Sequence, residues 1–192
     1  MAAVAAVHAV VSGLGQHLTR AHQLSPIKDV SCTFTPVGTS EFKKLDGKNT
    51  TCSIFVYRVS HNEHARNPRN GLGPGRPPLA VNMHLLLTIW ADSPLKELTV
   101  LAWVMRELHA FPVLDRSLLA ASGEFSAAES VQLIPEELTL DDMTKLWQAL
   151  TPPLRPSITY VARNVQIGPD AEEQFAPAIA TRFSLSDQLE DA

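Results

Sequence analysis

The sequence predicts an α/β chain with a mixed, mostly antiparallel sheet flanked by helices, and three observations carry that prediction. From Val81 to Trp90 the side chains alternate, with Val81, Met83, Leu85, Leu87 and Ile89 on one face and Asn82, His84, Leu86, Thr88 and Trp90 on the other. Leu86 and Trp90 make the second face apolar as well, so this reads as a central strand covered on both sides. At Ala91-Asp92-Ser93-Pro94 the period changes from two to that of a helix, which follows the strand at once. Finally, β-branched and aromatic runs lie on either side of this unit, before it at residues 30–37 and 51–62 and after it at residues 155–167.

In chain order, Val4, Val7, Val11, Leu14 and Leu18 form one stripe, which predicts an amphipathic N-terminal helix docked on the body and frayed near Gly13 and Gly15. Val30–Val37 alternates and reads as a half-exposed strand whose Pro36 places its end at a sheet edge. Asp46-Gly47 signals a turn, and Thr51–Asn62 is the next strand, so the pair reads as a hairpin or meander. In the central helix, Ser93 is the expected N-cap and Pro94 the first residue. Leu95, Leu98, Leu101, Ala102, Met105 and Leu108 are its expected buried stripe, with Trp103 and Val104 touching a second surface and Phe111-Pro112 ending it. An Ala/Ser-rich connector then leads to a strand-like run at Ser130–Ile134. Thr139 and Asp142 form a weak capping box before a helix with Leu140, Met143, Leu146, Trp147 and Leu150 on its apolar face. Arg155–Ile167 is the last long strand, with Ile158, Tyr160 and Ala162 on one face and Val161, Val165 and Ile167 on the other. Its length predicts that it runs through the middle of the sheet or extends beyond it.

Composition bounds the function. The 192 residues are enough for one sizeable core, so residues 1–168 read as a single domain and 169–192 as an acidic C-terminal extension. A net charge of −4 argues against a nonspecific binder of nucleic acid. Cys32 and Cys52 are too few for a secreted disulfide framework; a pair is open to them if their strands are neighbours, but they read first as free buried thiols. No Lys or Arg precedes Arg20, so the apolar N-terminus does not resemble a secretory signal. It is also too short and interrupted to span a membrane.

Catalytic signatures are missing from the sequence: no nucleophile elbow, zincin helix, phosphate loop or dinucleotide fingerprint occurs. His61-x-x-His64 lacks both a helix to hold it and a third ligand, so no metal or other cofactor is expected. His84 and His109 pair only on paper with Glu107 or Asp115 and read as structural. What stands out instead is a loop over residues 61–79 bearing Arg66, Arg69 and Arg76, and a tail with Phe175, Ile179, Phe183, Leu185 and Leu189 among acidic residues. A long arginine-bearing loop and an acidic tail point to an interaction protein.

A resemblance narrows the kind. Arg66-Asn67-Pro68-Arg69-Asn70, then Leu79–Ala91, Val104–Leu114, Met143–Leu150 and Ser157–Val161 follow one another in an order and spacing that resembles the tail-terminator, or cap, proteins of bacterial contractile injection systems. These are phage-tail-like particles of the antifeeding prophage and Photorhabdus virulence cassette type. The resemblance covers most of residues 1–168, and the Ala/Ser connector and acidic tail depart from it. It implies a tail-terminator-like fold and no enzymatic activity. It also implies a subunit of a ring, expected to be a homohexamer, that sits on the distal end of the inner tube, ends its polymerisation and holds the last sheath layer. The implied partners are the chain itself, the inner tube protein and the sheath protein, with no nucleic acid and no direct membrane insertion. Assembly is expected in the cytoplasm of the producing bacterium, as part of the particle. Arg66, Asn67, Arg69, Asn70 and Arg76 in the loop, with Phe175, Phe183 and Leu185 in the tail, are the candidate interface residues. Two alternatives remain open on sequence alone. One is a small hydrolase or metal enzyme using His61, His64, His84 or His109; the other is a monomeric adaptor whose acidic tail binds a basic partner.

Overall fold

The computed structural model describes residues 5–62, 79–119 and 130–168. These residues form a six-stranded sheet with strands β1 (Thr33–Pro36), β2 (Thr51–His61), β3 (Leu79–Trp90), β4 (Val113–Leu114), β5 (Val131–Glu136) and β6 (Ser157–Ile167). Four α-helices accompany it: α1 (Ala6–Leu24), α2 (Pro94–Ala110), α3 (Arg116–Leu119) and α4 (Leu140–Leu150), with a 3-10 turn at Phe42–Lys44. The sheet order is β1-β2-β3-β6-β5-β4, and every neighbouring pair is antiparallel except β1 with β2. The α/β class, the mixed and mostly antiparallel sheet, and the central position of β3 and β6 therefore agree with the sequence reading.

β3 is covered on both faces. Val81, Met83, Leu85, Leu87 and Ile89 join the larger core, beneath α1 and α2, with Val10, Leu14, Leu18, Val100, Val104 and Leu108. Leu86 and Trp90 belong to a second cluster, where Phe42 of the 3-10 turn and Trp147 and Leu150 of α4 cover the opposite face. The chain is thus three layers, and burying both faces of one strand fixes its register against slippage by a single residue.

Four expectations are corrected. The first two strands are not a hairpin: Thr33 pairs with Thr51 and Pro36 with Ile54 in parallel register. Parallel neighbours need a crossover of about a dozen residues or more, and residues 37–50 provide it by carrying Phe42 over the second face. On α2 the buried residues are Glu97, Val100, Trp103, Val104 and Leu108, whereas Leu95, Leu98 and Met105 are exposed. The helix offers two apolar stripes, and the one bearing Trp103 and the β-branched Val100 and Val104 faces the sheet. On α4 Trp147 and Leu150 are buried as expected, but Leu140 at its first turn is exposed.

The third correction lies in β6. Val81 pairs with Val165 and Met83 with Ala162, so β6 carries an extra residue opposite Asn82. Asn164 adopts a φ of 60° there, and its backbone N–H donates to Asn82 Oδ1 at 3.2 Å. Asn tolerates the left-handed conformation better than most side chains. The bulge reverses the alternation and returns Val165 to the face of Tyr160 and Ala162, in the same core.

The fourth concerns α1, which runs unbroken through its glycines and buries Val10, Val11, Leu14 and Leu18. A Cβ on Gly13 would meet the Leu118 carbonyl oxygen at 2.8 Å, and one on Gly15 would lie 3.4 Å from the Phe34 carbonyl oxygen. The two glycines let α1 close against α3 on one side and the β1 edge on the other.

Local capping follows the sequence unevenly. Ser93 and Pro94 do open α2, but the Ser93 side chain makes no cap hydrogen bond. Instead Glu97 is buried in the first turn, accepts from the Ala91 N–H and pairs with Arg155, whose guanidinium lies 4.8 Å over the Trp90 ring. Thr139 caps α4 by accepting from the Asp142 N–H at 3.1 Å and donating to its carboxylate at 2.7 Å.

Gly13→Ala sets helix propensity against a backbone clash. Ala gains about 1 kcal/mol of propensity over Gly, but overpacking costs about 1–3 kcal/mol where, as here, the obstacle is a carbonyl that cannot rotate away. The expected outcome is a lower urea midpoint with an unchanged slope; a higher midpoint would show that α1 and α3 are free to separate.

Candidate interaction site

Arg66, Asn67, Arg69, Asn70, Arg76 and His64 lie outside the described residues, as do Phe175, Phe183 and Leu185. The structure therefore assigns no position to the loop and tail candidates. It does locate the chemistry that the sequence left scattered.

Cys32 and Cys52 are free and buried, as expected. Burial pushes the Cys32 thiol up to about 11 and the Cys52 thiol well above its ordinary value, so neither is a thiolate near neutral pH. His61 is exposed at the end of β2, and His109 is exposed near the end of α2. Among the described residues no three His, Cys, Asp or Glu side chains cluster as metal ligands.

His84 is partnered by neither Glu107 nor Asp115. Its Nδ1 lies 2.9 Å and 3.0 Å from the two Glu136 oxygens, and its Nε2 lies 3.0 Å from Ser60 Oγ. Tyr57 donates to Glu136 Oε2 at 2.6 Å, and Thr159 donates to the Glu136 carbonyl at 2.5 Å. A bulge in β2, where Val56 pairs with Leu85 and Arg58 with His84, makes Tyr57 the extra residue beside the His84 ring. Burial, followed by the bond to Glu136, raises the Tyr57 hydroxyl far above its usual range and keeps it a donor. Glu107 instead lies near His17 on α1, and Asp115 caps α3 through the Ser117 and Leu118 N–H groups.

Hydroxyl, imidazole and carboxylate thus stand in the order of a charge-relay triad. The geometry works as a latch. It joins β2, β3, β5 and β6, the Glu136 carboxylate is shared with Tyr57, and the neighbouring groove is lined by Glu136 and Thr159 rather than by Ser60 or His84. Glu136 stands 52 residues from His84, so no local spacing could have revealed the pair.

Two surface features surround this latch. One is a groove of about 540 Å³ where the end of α2, the β5–β6 end of the sheet and α4 meet; Met105, Pro135, Leu138, Met143, Ile158 and Tyr160 are its apolar lining. The other is the exposed α2 stripe, whose residues the sequence had assigned to the core. The competing stripe of Val100, Trp103 and Val104 was the available signal.

The β1 edge, and β5 beyond its two-residue pairing with β4, are poor templates for a further strand. Thr33 and Val37 donate inward to Thr50 and Ile54, so Phe34 and Pro36 face outward along β1, where α1 approaches. On β5, Leu133 donates outward to the Pro112 carbonyl, and the next outward residue, Pro135, has no N–H. Covering an edge with a helix and placing Pro on it are both barriers to strand addition.

Glu136→Ala leaves the Tyr57 hydroxyl and one His84 nitrogen without a partner, a cost of about 1–3 kcal/mol in the urea midpoint. Tyr57→Phe, which removes a single bond, costs about 0.5–1.5 kcal/mol. Equal effects would show that the latch does not depend on the carboxylate.

His17 predicts a pH dependence. Burial lowers its pKa most, while Glu107 and Asp115 partly oppose that shift. A histidine depressed in the folded state adds stability that is fully present above its unfolded pKa of about 6.5 and lost as pH falls through the folded value. Urea midpoints should therefore drop between about pH 7.5 and 5.5, with a shallower slope in His17→Gln. Identical slopes would assign the dependence to other groups.

The chain matches the family model described as the Pvc16 N-terminal domain over residues 6–181. No curated protein matches it in sequence. Its fold is similar to the sheath/tube terminator of an extracellular contractile injection system (PVC, extended state), with a TM-score of 0.60 at 17% identity over 94% of this chain and 64% of that one. It is also similar to the tube-terminating cap of the anti-feeding prophage, with a TM-score of 0.55 at 17% identity over 88% of this chain and 59% of that one. The chain thus spans somewhat less than two thirds of the length of these two structures. Among the described residues no helix is long and apolar enough to cross a membrane. By the extent of the family match, this chain belongs to the Pvc16 N-terminal domain family.

Proposed function

We propose that this chain is a structural cap subunit of a contractile injection system. It forms a homohexameric ring on the distal end of the inner tube, ends tube polymerisation and anchors the last sheath layer. The observation that carries the reading is the family match over residues 6–181, supported by a shared fold with two tube-terminating proteins. The proline-bearing β1 and β5 support it as well, since a terminating subunit must present a surface that offers no template for the next layer. The activity is mechanical rather than enzymatic, and needs no cofactor, nucleic acid or membrane insertion. The ring assembles with tube and sheath in the cytoplasm of the producing bacterium.

In such a ring each subunit uses two different surfaces, one for each neighbour. The loop with Arg66, Asn67, Arg69, Asn70 and Arg76 serves the tube or sheath contact. The tail with Phe175, Phe183 and Leu185 serves the ring contact. Strand addition at β1 or β5 is disfavoured by their geometry, so the contacts between copies are made by side-chain faces.

Light scattering after size exclusion is expected to give a mass of about 126 kDa, six times the 21.0 kDa chain. A chain that stays monomeric at all concentrations and fails to co-sediment with assembled tubes would overturn the cap reading. Replacing Arg66, Arg69 and Arg76 together by Ser should abolish tube or sheath binding while leaving the ring mass intact; unaltered binding removes the loop from the contact.

A further inference from the structure

The second face of the sheet is covered at one end. The 3-10 turn and α4 lie over Leu86 and Trp90, whereas towards Leu79 the same face turns polar. Arg58 pairs with His84 and Arg163 with Gln132, so alternation puts both arginines on this face. Both are exposed, and Asn82 lies half-buried on β3 between them. The two are roughly 10 Å apart across β3, a gap that arginine side chains span from either side. Neither makes an ion pair among the described residues. Glu136, on the same face, is already engaged by Tyr57 and His84. This end of the face thus presents two uncompensated cations.

The chain leaves the sheet beside this surface. β6 ends at Ile167 opposite Leu79, and Gly168-Pro169 follows, a dipeptide suited to a turn. Next come Asp170, Glu172 and Glu173, with no basic residue before Arg182. Charge therefore matches this stretch to the two arginines, and reach agrees. Arg163 stands four residues, roughly 13 Å, back along β6 from Ile167. Glu173 follows Ile167 by six residues, a span of at most about 20 Å. A chain that reverses at Gly168-Pro169 brings its carboxylates past Arg163 and within side-chain reach of Arg58. The family match also runs past Gly168 to residue 181, so the stretch belongs to the matched domain rather than to an appended tail. We infer that residues 170–173 fold back over the second face of their own sheet, with their carboxylates on Arg58 and Arg163. The contact neutralises the open end of the face. It also fixes where the segment bearing Phe175, Phe183 and Leu185 leaves the body. It needs no second copy, so it stands apart from the ring reading.

Hydrogen exchange of the full chain tests the contact through a peptide covering residues 168–175. Replacing Arg58→Ser and Arg163→Ser together is expected to speed its exchange about three- to tenfold, the worth of two exposed ion pairs. Exchange in β3 should stay unchanged, which shows that the sheet is intact. Charge reversal supplies the rescue: Arg58→Glu with Arg163→Glu should lose the protection, and adding Asp170→Lys, Glu172→Lys and Glu173→Lys should restore it. A peptide without protection in the unaltered chain overturns the inference. So does protection that survives loss of both sheet arginines and disappears instead when Arg66, Arg69 and Arg76 are replaced by Ser. A zero-length carbodiimide cross-link then decides which copy supplies the segment. With Arg58→Lys, position 58 is expected to join Asp170, Glu172 or Glu173 at the 21.0 kDa mass of a single chain on a denaturing gel. The same link at the dimer mass assigns the segment to a second copy and overturns the own-chain contact. The native mass reads the ring separately, so either failure leaves that reading as it stands.

Discussion

The requirement to cover β3 on both faces is the constraint from which the rest of the architecture follows. A strand with Met83, Leu85 and Leu87 on one side and Leu86 and Trp90 on the other cannot lie at a solvent surface. The chain meets this with α1 and α2 over one face, and the 3-10 turn with α4 over the other. The second cover explains two features that look unrelated. The connection between β1 and β2 is long because it must bring Phe42 across the sheet. β1 is consequently parallel to β2, since a strand that returns by a crossover re-enters in the same direction.

The polar groups inside this frame tie strands together. His84 is on the second face of β3, where a lone imidazole would be costly; Ser60 and Glu136 satisfy it from two neighbouring regions of the sheet, and Tyr57 donates to the same carboxylate. The bulge in β2 makes this possible by adding Tyr57 to that face. Glu97 and Arg155 do comparable work at the start of α2, where they hold the helix to the approach of β6. These ties make the strands a rigid frame. Along the sheet's margins, α1 approaches β1 beside Pro36, and Pro135 removes a donor from β5 beyond its short pairing with β4.

Much of the fold was legible because periodicity reports burial directly. The alternation in β3, the Ser93-Pro94 corner and the Thr139 cap all appear where residue order places them. The face of α2 was not legible, since Leu95, Leu98 and Met105 are as apolar as Val100, Trp103 and Val104. Only the neighbouring sheet chooses between two such stripes. The faces of β6 were misread past Arg163 because a single bulge residue reverses alternation without a mark in composition. Of the candidate interaction site, the terminator resemblance was visible in the order of segments. The exposed stripe and the groove were not, because they are built from residues that also read as core.

By itself the sequence determined the α/β class, the two-sided burial of β3 and the starts of α2 and α4, all local consequences of side-chain type and spacing. Tertiary structure decided the parallel pairing of β1, the side of α2 that meets the sheet, and the union of His84 with Glu136. Each of these depends on surfaces brought together across tens of residues, and the energy that selects among them arises only when those surfaces meet.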